Sequence, residues 1–143
     1  MSLDSVLASL RPELADKARV HMDRCWKKGL ALAITSGWRS PAEQMTLFRL
    51  GRQQTLDGLW HIADPSKVVT NAMPDRAPHC RGAAYDVVPL VKEKAAWDRL
   101  DLFQAIADCA QGLGLVWGGS WPKFKDLPHF ELEGWRSLPL KEK

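Results

Sequence analysis

With 143 residues, 45% hydrophobic and 26% charged, the chain is sized and composed like one globular domain able to bury a real core. The formal charge of +3 is too small to choose between anionic partners such as cell wall and nucleic acid. No apolar run approaches the roughly 20 residues that cross a bilayer.

In chain order, Leu3 to Lys28 reads as helix, interrupted or restarted near Pro12. Leu14, Ala18, His21 and Cys25 recur at spacings of four and three, an apolar stripe that places Cys25 in the core. Arg19, Arg24, Lys27 and Lys28 then read as a solvated face, and Gly29 closes the helix. LALAIT (30–35) is short and continuously apolar, as in a buried strand. Ser40 and Pro41 open a second helix as N-cap and first residue, with Glu43 at the third position, and the helix ends near Leu50 at Gly51. Residues 52–76 show no clean period and carry Gly58, Pro65 and Pro74, so they read as a long loop that covers a site. Ala83 to Val88 is strand-like. Trp97, Leu100, Phe103, Ile106, Ala107, Ala110 and Leu113 mark an amphipathic helix, ended by Gly112 and Gly114. The strand-and-turn region LVWGGSWPKFKDLPHFELEGW and a polar tail follow. The fold class this predicts is α+β, a small antiparallel sheet flanked by helices, in one domain over 1–143.

Cys25, Cys80 and Cys109 are scattered, with no CxxC pair, which argues against a disulfide framework or a thiolate zinc site. The opening MSLDSVLASLRPEL has neither the basic start nor the apolar stretch of a secretory signal, so the expected site of synthesis is the cytoplasm, without unaided export.

Four histidines carry the chemical question. His21 lies on the apolar stripe and His61 lies in the loop without acidic neighbours, so both read as structural or solvated. His79 and His129 instead have carboxylates at short spacings. Asp86 follows His79 by seven, Asp126 precedes His129 by three, and Glu131 follows it by two. In one continuous strand His79 and Asp86 would face opposite ways, and in one helix they would stand two turns apart. They meet only if the chain bends, and Gly82 permits the bend.

His79, Asp86 and His129 would then form a three-ligand set of the kind catalytic zinc uses, leaving a fourth position for water. Asp126 is spaced to lean over such an ion as general base. Pro128 biases Leu127 toward extended backbone, so 126–129 is not regular helix. Glu131, on the strand face of His129, is the runner-up as ligand or base. Two other readings stand beside this one. His79 caps a turn while Asp86 binds backbone, or Cys80, beside Arg81, is a nucleophile activated by His129 and Asp126.

Three blocks, ITSGWRSPAEQMTLFRLGR, VVTNAMPDRAPHCRGAAYDVVP and GLGLVWGGSWPKFKDLPHFEL, resemble the zinc L-alanyl-D-glutamate peptidases used as phage endolysins. These belong to the D-alanyl-D-alanine carboxypeptidase and vancomycin-resistance dipeptidase group. The resemblance spans nearly the whole chain. It implies one Zn2+ held by His79, Asp86 and His129, with Asp126 as general base. It also implies that Arg39 stabilises the oxyanion and that Gln44 helps hold substrate. Trp121 is placed to line the substrate groove, while Trp117 fits the core at least as well. Ala77 stands where the group commonly has serine, so substrate contacts differ there.

The implied activity is hydrolysis of the L-Ala–D-Glu bond of the peptidoglycan stem. The alternatives are D,D- or L,D-carboxypeptidase action and non-catalytic wall binding. The implied partner is peptidoglycan, with no nucleic acid, no membrane insertion and a monomeric state. The expected route is synthesis in a host cytoplasm and action on the wall after release through a membrane pore.

Overall fold

Pro12 divides the N-terminal helical stretch in two. The computed structural model describes residues 2–142. In it α1 (Leu3–Ser9) is capped by Ser2 Oγ, which accepts from the Ser5 N–H at 3.1 Å, and α2 (Pro12–Lys27) starts on Pro12 itself. Gly29 follows at φ +77°, a turn a side chain would resist. Strand β1 (Leu32–Ser36) leads to α3 (Pro41–Arg49), entered through a capping box in which Ser40 and Glu43 satisfy each other's backbone N–H groups.

Residues 52–76, expected as a loop, hold a two-stranded hairpin, β2 (Arg52–Gln54) with β3 (Trp60–Ile62), and short 3-10 turns at Pro65–Lys67 and Pro74–Arg76. Strands of three residues are too short to display alternation, which is why the sequence hid them. Strand β4 (Ala84–Val91) runs longer than expected and turns back through β5 (Lys94–Ala95). Then come α4 (Leu100–Asp108), β6 (Leu115–Trp117) and β7 (His129–Leu132).

The main sheet is antiparallel, ordered β1-β4-β7-β6, with β5 on the end of β4. As an edge strand β1 is only part-buried, contrary to its apolar look, and Ile34 alone in it is fully inside. Alternation in β4 and β7 divides the sheet into two faces. Tyr85, Val87 and Phe130 turn to α1, α2 and α4, joining Leu14, Met22 and Ile106 in one core. Each such large apolar side chain contributes roughly 1.5–3 kcal/mol by leaving water. Trp97 and Leu100, expected on the buried face of α4, are 56% and 60% exposed, because the helix starts only at Leu100.

His21 is wholly buried. Its Nε2 donates to the Ile106 carbonyl at 2.8 Å, so its Nδ1 accepts from the Tyr85 hydroxyl at 2.7 Å. Burial lowers its pKa, so the imidazole is a neutral strut between α2, β4 and α4. Among the described residues no helix is long and apolar enough to cross a membrane.

Candidate active site

The opposite sheet face carries the chemistry. Asp86 and His129 are direct cross-strand partners in the β4–β7 register, so both point away from the core at the same level. His79 arrives from the 3-10 turn Pro78–Arg81, which Gly82 ends at φ +65°, ψ +25°. A Cβ on Gly82 would come within 2.6 Å of the Lys141 side chain and 3.2 Å of the Arg11 backbone nitrogen. The left-handed turn and the tight fit together call for glycine, and the turn carries the chain from His79 into β4.

The three side chains present one ligand atom each, all within 4.8 Å of one another. Asp86 Oδ1 lies 3.4 Å from His79 Nε2 and 3.3 Å from His129 Nδ1. It is buried and has no hydrogen-bond partner of good geometry. Such an orphaned carboxylate oxygen is costly unless something else neutralises it. Two imidazole nitrogens and one carboxylate oxygen converging on a common point fit a divalent metal, with a position left open.

Each imidazole is held by its far nitrogen. His79 Nδ1 donates to the Gly37 carbonyl at 2.8 Å, leaving Nε2 toward Asp86. His129 Nε2 donates to Glu131 Oε1 at 2.8 Å, leaving Nδ1 inward, and Glu131 Oε2 accepts from the buried Trp135 Nε1. The Arg81 and Arg136 guanidiniums lie over the Trp135 ring at 5.1 and 4.5 Å. Glu131, the runner-up for ligand or base, therefore spends both oxygens orienting His129.

Burial opposes ionisation of Asp86, but the two imidazoles outweigh it and hold the carboxyl well below the usual range. Burial opposes charge on His129 as well. The nearby negative charges of Asp86 and Glu131, with the Glu131 hydrogen bond, win there, and its pKa is pushed up to about 9. Asp126 Oδ2 stands 4.0 Å from His129 Nδ1, with its side chain half exposed. Burial raises its pKa, against the pull of His129, in the direction a general base needs.

Arg39 is fixed beside these groups. Its Nη1 donates to Gln44 Oε1 at 2.8 Å, its Nη2 to Ser36 Oγ at 3.1 Å, and its backbone N–H to the His79 carbonyl at 3.0 Å. The remaining donors of its fork are left for the groove it lines. Gln44 is 1% exposed, and its Nε2 donates to the Ala72 carbonyl at 2.8 Å. It braces Arg39 rather than offering a free amide from an open helix face. Trp121 sits with its ring 5.3 Å from that of His129. Trp117 donates to the Leu127 carbonyl at 2.7 Å and packs against the core.

Cys80 is fully buried, and burial raises its thiol pKa despite Arg39 and Arg81. It is no activated nucleophile. His61 is exposed in the hairpin, away from the cluster.

His79, Asp86 and His129, with Asp126, Arg39 and Trp121, open on one groove of about 1050 Å3. One wall includes Val68 to Ala72, so the second half of the 52–76 segment borders the site, while the hairpin is not among the lining residues. Trp135, Ser36 and Gly37 escaped the sequence reading, since no spacing ties them to the ligands. The only available signal was an indole and a carboxylate four residues apart.

The D-alanyl-D-alanine carboxypeptidase family pattern matches residues 70–132, the stretch that contains His79, Asp86, Asp126 and His129. The peptidoglycan L-alanyl-D-glutamate endopeptidase CwlK of Bacillus subtilis (strain 168) is 29% identical over 137 residues, covering 89% of this chain and 75% of the relative. The crystal structure of the Serratia marcescens L-Ala D-Glu endopeptidase ChiX superposes with a TM-score of 0.66 at 26% identity, over 92% of this chain and 86% of that one. With the converging ligand set inside the segment that resembles the D-alanyl-D-alanine carboxypeptidase family, the chain is a metallopeptidase.

Proposed function

We propose that this enzyme is a zinc-dependent endopeptidase that hydrolyses the L-Ala–D-Glu bond of the peptidoglycan stem. The observation that carries the reading is the orphaned Asp86 Oδ1 between two oriented imidazoles, at the floor of a groove that also holds Asp126 and Arg39. The names of CwlK and ChiX supply the bond. A zinc ion held by His79, Asp86 and His129 supplies Lewis acidity, which makes water more acidic and a carbonyl more electrophilic.

The chain's own residues do the rest. Asp126 takes a proton from the attacking water as its oxygen bonds to the amide carbon. It returns that proton to the nitrogen as the C–N bond breaks. Arg39, immobilised by Gln44 and Ser36, meets the negative charge that develops on the carbonyl oxygen. Trp121 covers one side of the groove and keeps water from the polar cluster.

The same reading has the protein acting as a monomer. It has the enzyme serving as a phage endolysin that reaches the wall through a membrane pore. A second reading, removal of a terminal D-Ala, is favoured by the description of the matching family. Mass spectrometry of digested peptidoglycan separates them. New amino-terminal D-Glu, lost with chelator and recovered with zinc, is the expected result. Release of single D-Ala replaces the bond assignment, and no new ends under any condition refutes catalysis on this substrate.

A further inference from the structure

The charges lining the groove are sorted by position. Every lining acid is central: Asp86 between the imidazoles, Glu131 bound to His129 and Trp135, and Asp126 beside His129. With a divalent cation in place, these three and Arg39 sum to no net charge. The rim is different. Arg76, from the turn before His79, Lys123 and Lys125, from the segment before Asp126, and Arg136, after β7, all line the groove. Among the described residues none of the four belongs to an ion pair. The rim therefore carries four uncompensated positive charges, more than the +3 of the entire chain. Arg136 is also pre-positioned, its guanidinium 4.5 Å from the centroid of the Trp135 ring.

A neutral peptide has no use for such a rim, whereas a groove lined by one sign of charge concentrates a ligand of the other sign. Resting on the L-Ala–D-Glu reading, the chemistry of the stem identifies that ligand. D-Glu joined to the next residue through its side-chain carboxyl keeps its α-carboxylate on the carbon that bears the scissile nitrogen. Capping that group as a carboxamide removes the charge and leaves the shape nearly unchanged. We infer that Arg76, Lys123, Lys125 and Arg136 read free carboxylates on the stem, so that the enzyme cleaves stems with unamidated D-Glu in preference to amidated ones.

Two synthetic stem peptides differing only in that group, free acid or carboxamide, test this with the full chain and supplied zinc. The free acid is expected to be cleaved with a kcat/KM about tenfold higher at low salt, the gap narrowing as ionic strength rises. Single changes such as Arg76→Gln or Arg136→Gln reduce the preference roughly two- to fivefold. The combined Arg76→Gln, Lys123→Gln, Lys125→Gln and Arg136→Gln variant abolishes it with zinc affinity retained, since all four side chains are exposed and none is a ligand. Equal cleavage of both peptides by the unaltered enzyme overturns the inference and leaves the bond assignment standing. Cleavage of neither overturns both. A preference that survives in the combined variant removes it from the rim. A combined variant impaired only on walls bearing phosphate polymers, and not on the peptides, makes the rim a contact for those polymers and refutes carboxylate reading.

Discussion

Without a metal ion His129 is expected to hold a second ring proton on the side that faces Asp86, and that proton has a measurable weight. Its pKa is about 9 in the fold against 6.5 for an ordinary imidazole. A raised pKa means that the folded state binds the proton more tightly than the unfolded one. The stabilisation is therefore fully present below pH 6.5 and is lost as pH rises toward 9. The slope across this window is about 1.4 kcal/mol per pH unit, summing to about 3 kcal/mol.

Few other groups confuse the reading. Asp86 is ionised throughout the window, and His21, whose pKa is lowered, affects stability only below about 6.5. The buried thiols enter only near their ordinary value of 9. Urea unfolding of chelated protein from pH 6.5 to 8.5 should thus show steadily falling stability, and His129→Gln should flatten the curve. Zinc must displace the same proton, so its affinity, measured by competition with a chelator, should rise about tenfold per pH unit over that range. Flat stability and flat affinity between pH 6.5 and 8.5 would refute the arrangement of Asp86 and Glu131 around His129.

Asp126→Asn removes the proton carrier but no ligand, so turnover of stem peptide should fall by about 10²- to 10⁴-fold while zinc stoichiometry stays at one. Trp135→Phe keeps the aromatic packing but deletes the N–H that holds Glu131, so zinc affinity should drop about tenfold, and the chelated protein should lose about 1–3 kcal/mol in urea unfolding because Glu131 Oε2 is left unpaired. A Cβ at Gly118 would collide with the Asp126 carbonyl oxygen and come within 3.1 Å of His129 Cβ. Gly118→Ala should therefore cost about 1–3 kcal/mol in urea unfolding and lower activity by displacing the base and a ligand together.

The sequence made legible what depends on local chemistry. Pro12, the Ser40–Glu43 box and the glycines at 29 and 51 bound their elements as expected, whereas α4 ends at Asp108, short of the Gly112 and Gly114 expected to end it. The convergence of His79, Asp86 and His129 could be foreseen because Asp86 and His129 sit in strands whose alternation separates them from Tyr85 and Phe130. What depends on neighbours was hidden. The apolar run before Ser36 looks like a central strand, but it has a partner on one side only. Gln44 looks like a surface helix residue until the Thr70–Ala72 segment folds over it. Trp97 counts as apolar in any periodicity, yet it precedes the first turn of α4.

The tie between residues 37–39 and His79 bears on how far this enzyme can be divided. The segment matching the family contains His79, Asp86 and His129, the whole converging set. The carbonyl that sets the tautomer of His79, however, lies 42 positions upstream, at Gly37. Two residues later the Arg39 N–H grips the carbonyl of that same histidine. His79 and Arg39, the proposed ligand and the cation proposed to meet the oxyanion, are thereby riveted into one block, so neither can drift without dragging the other. The smallest self-sufficient catalytic unit is consequently larger than the stretch that identifies it. A graft of residues 70–132 onto another scaffold would import the ligands without the strut that aims one of them.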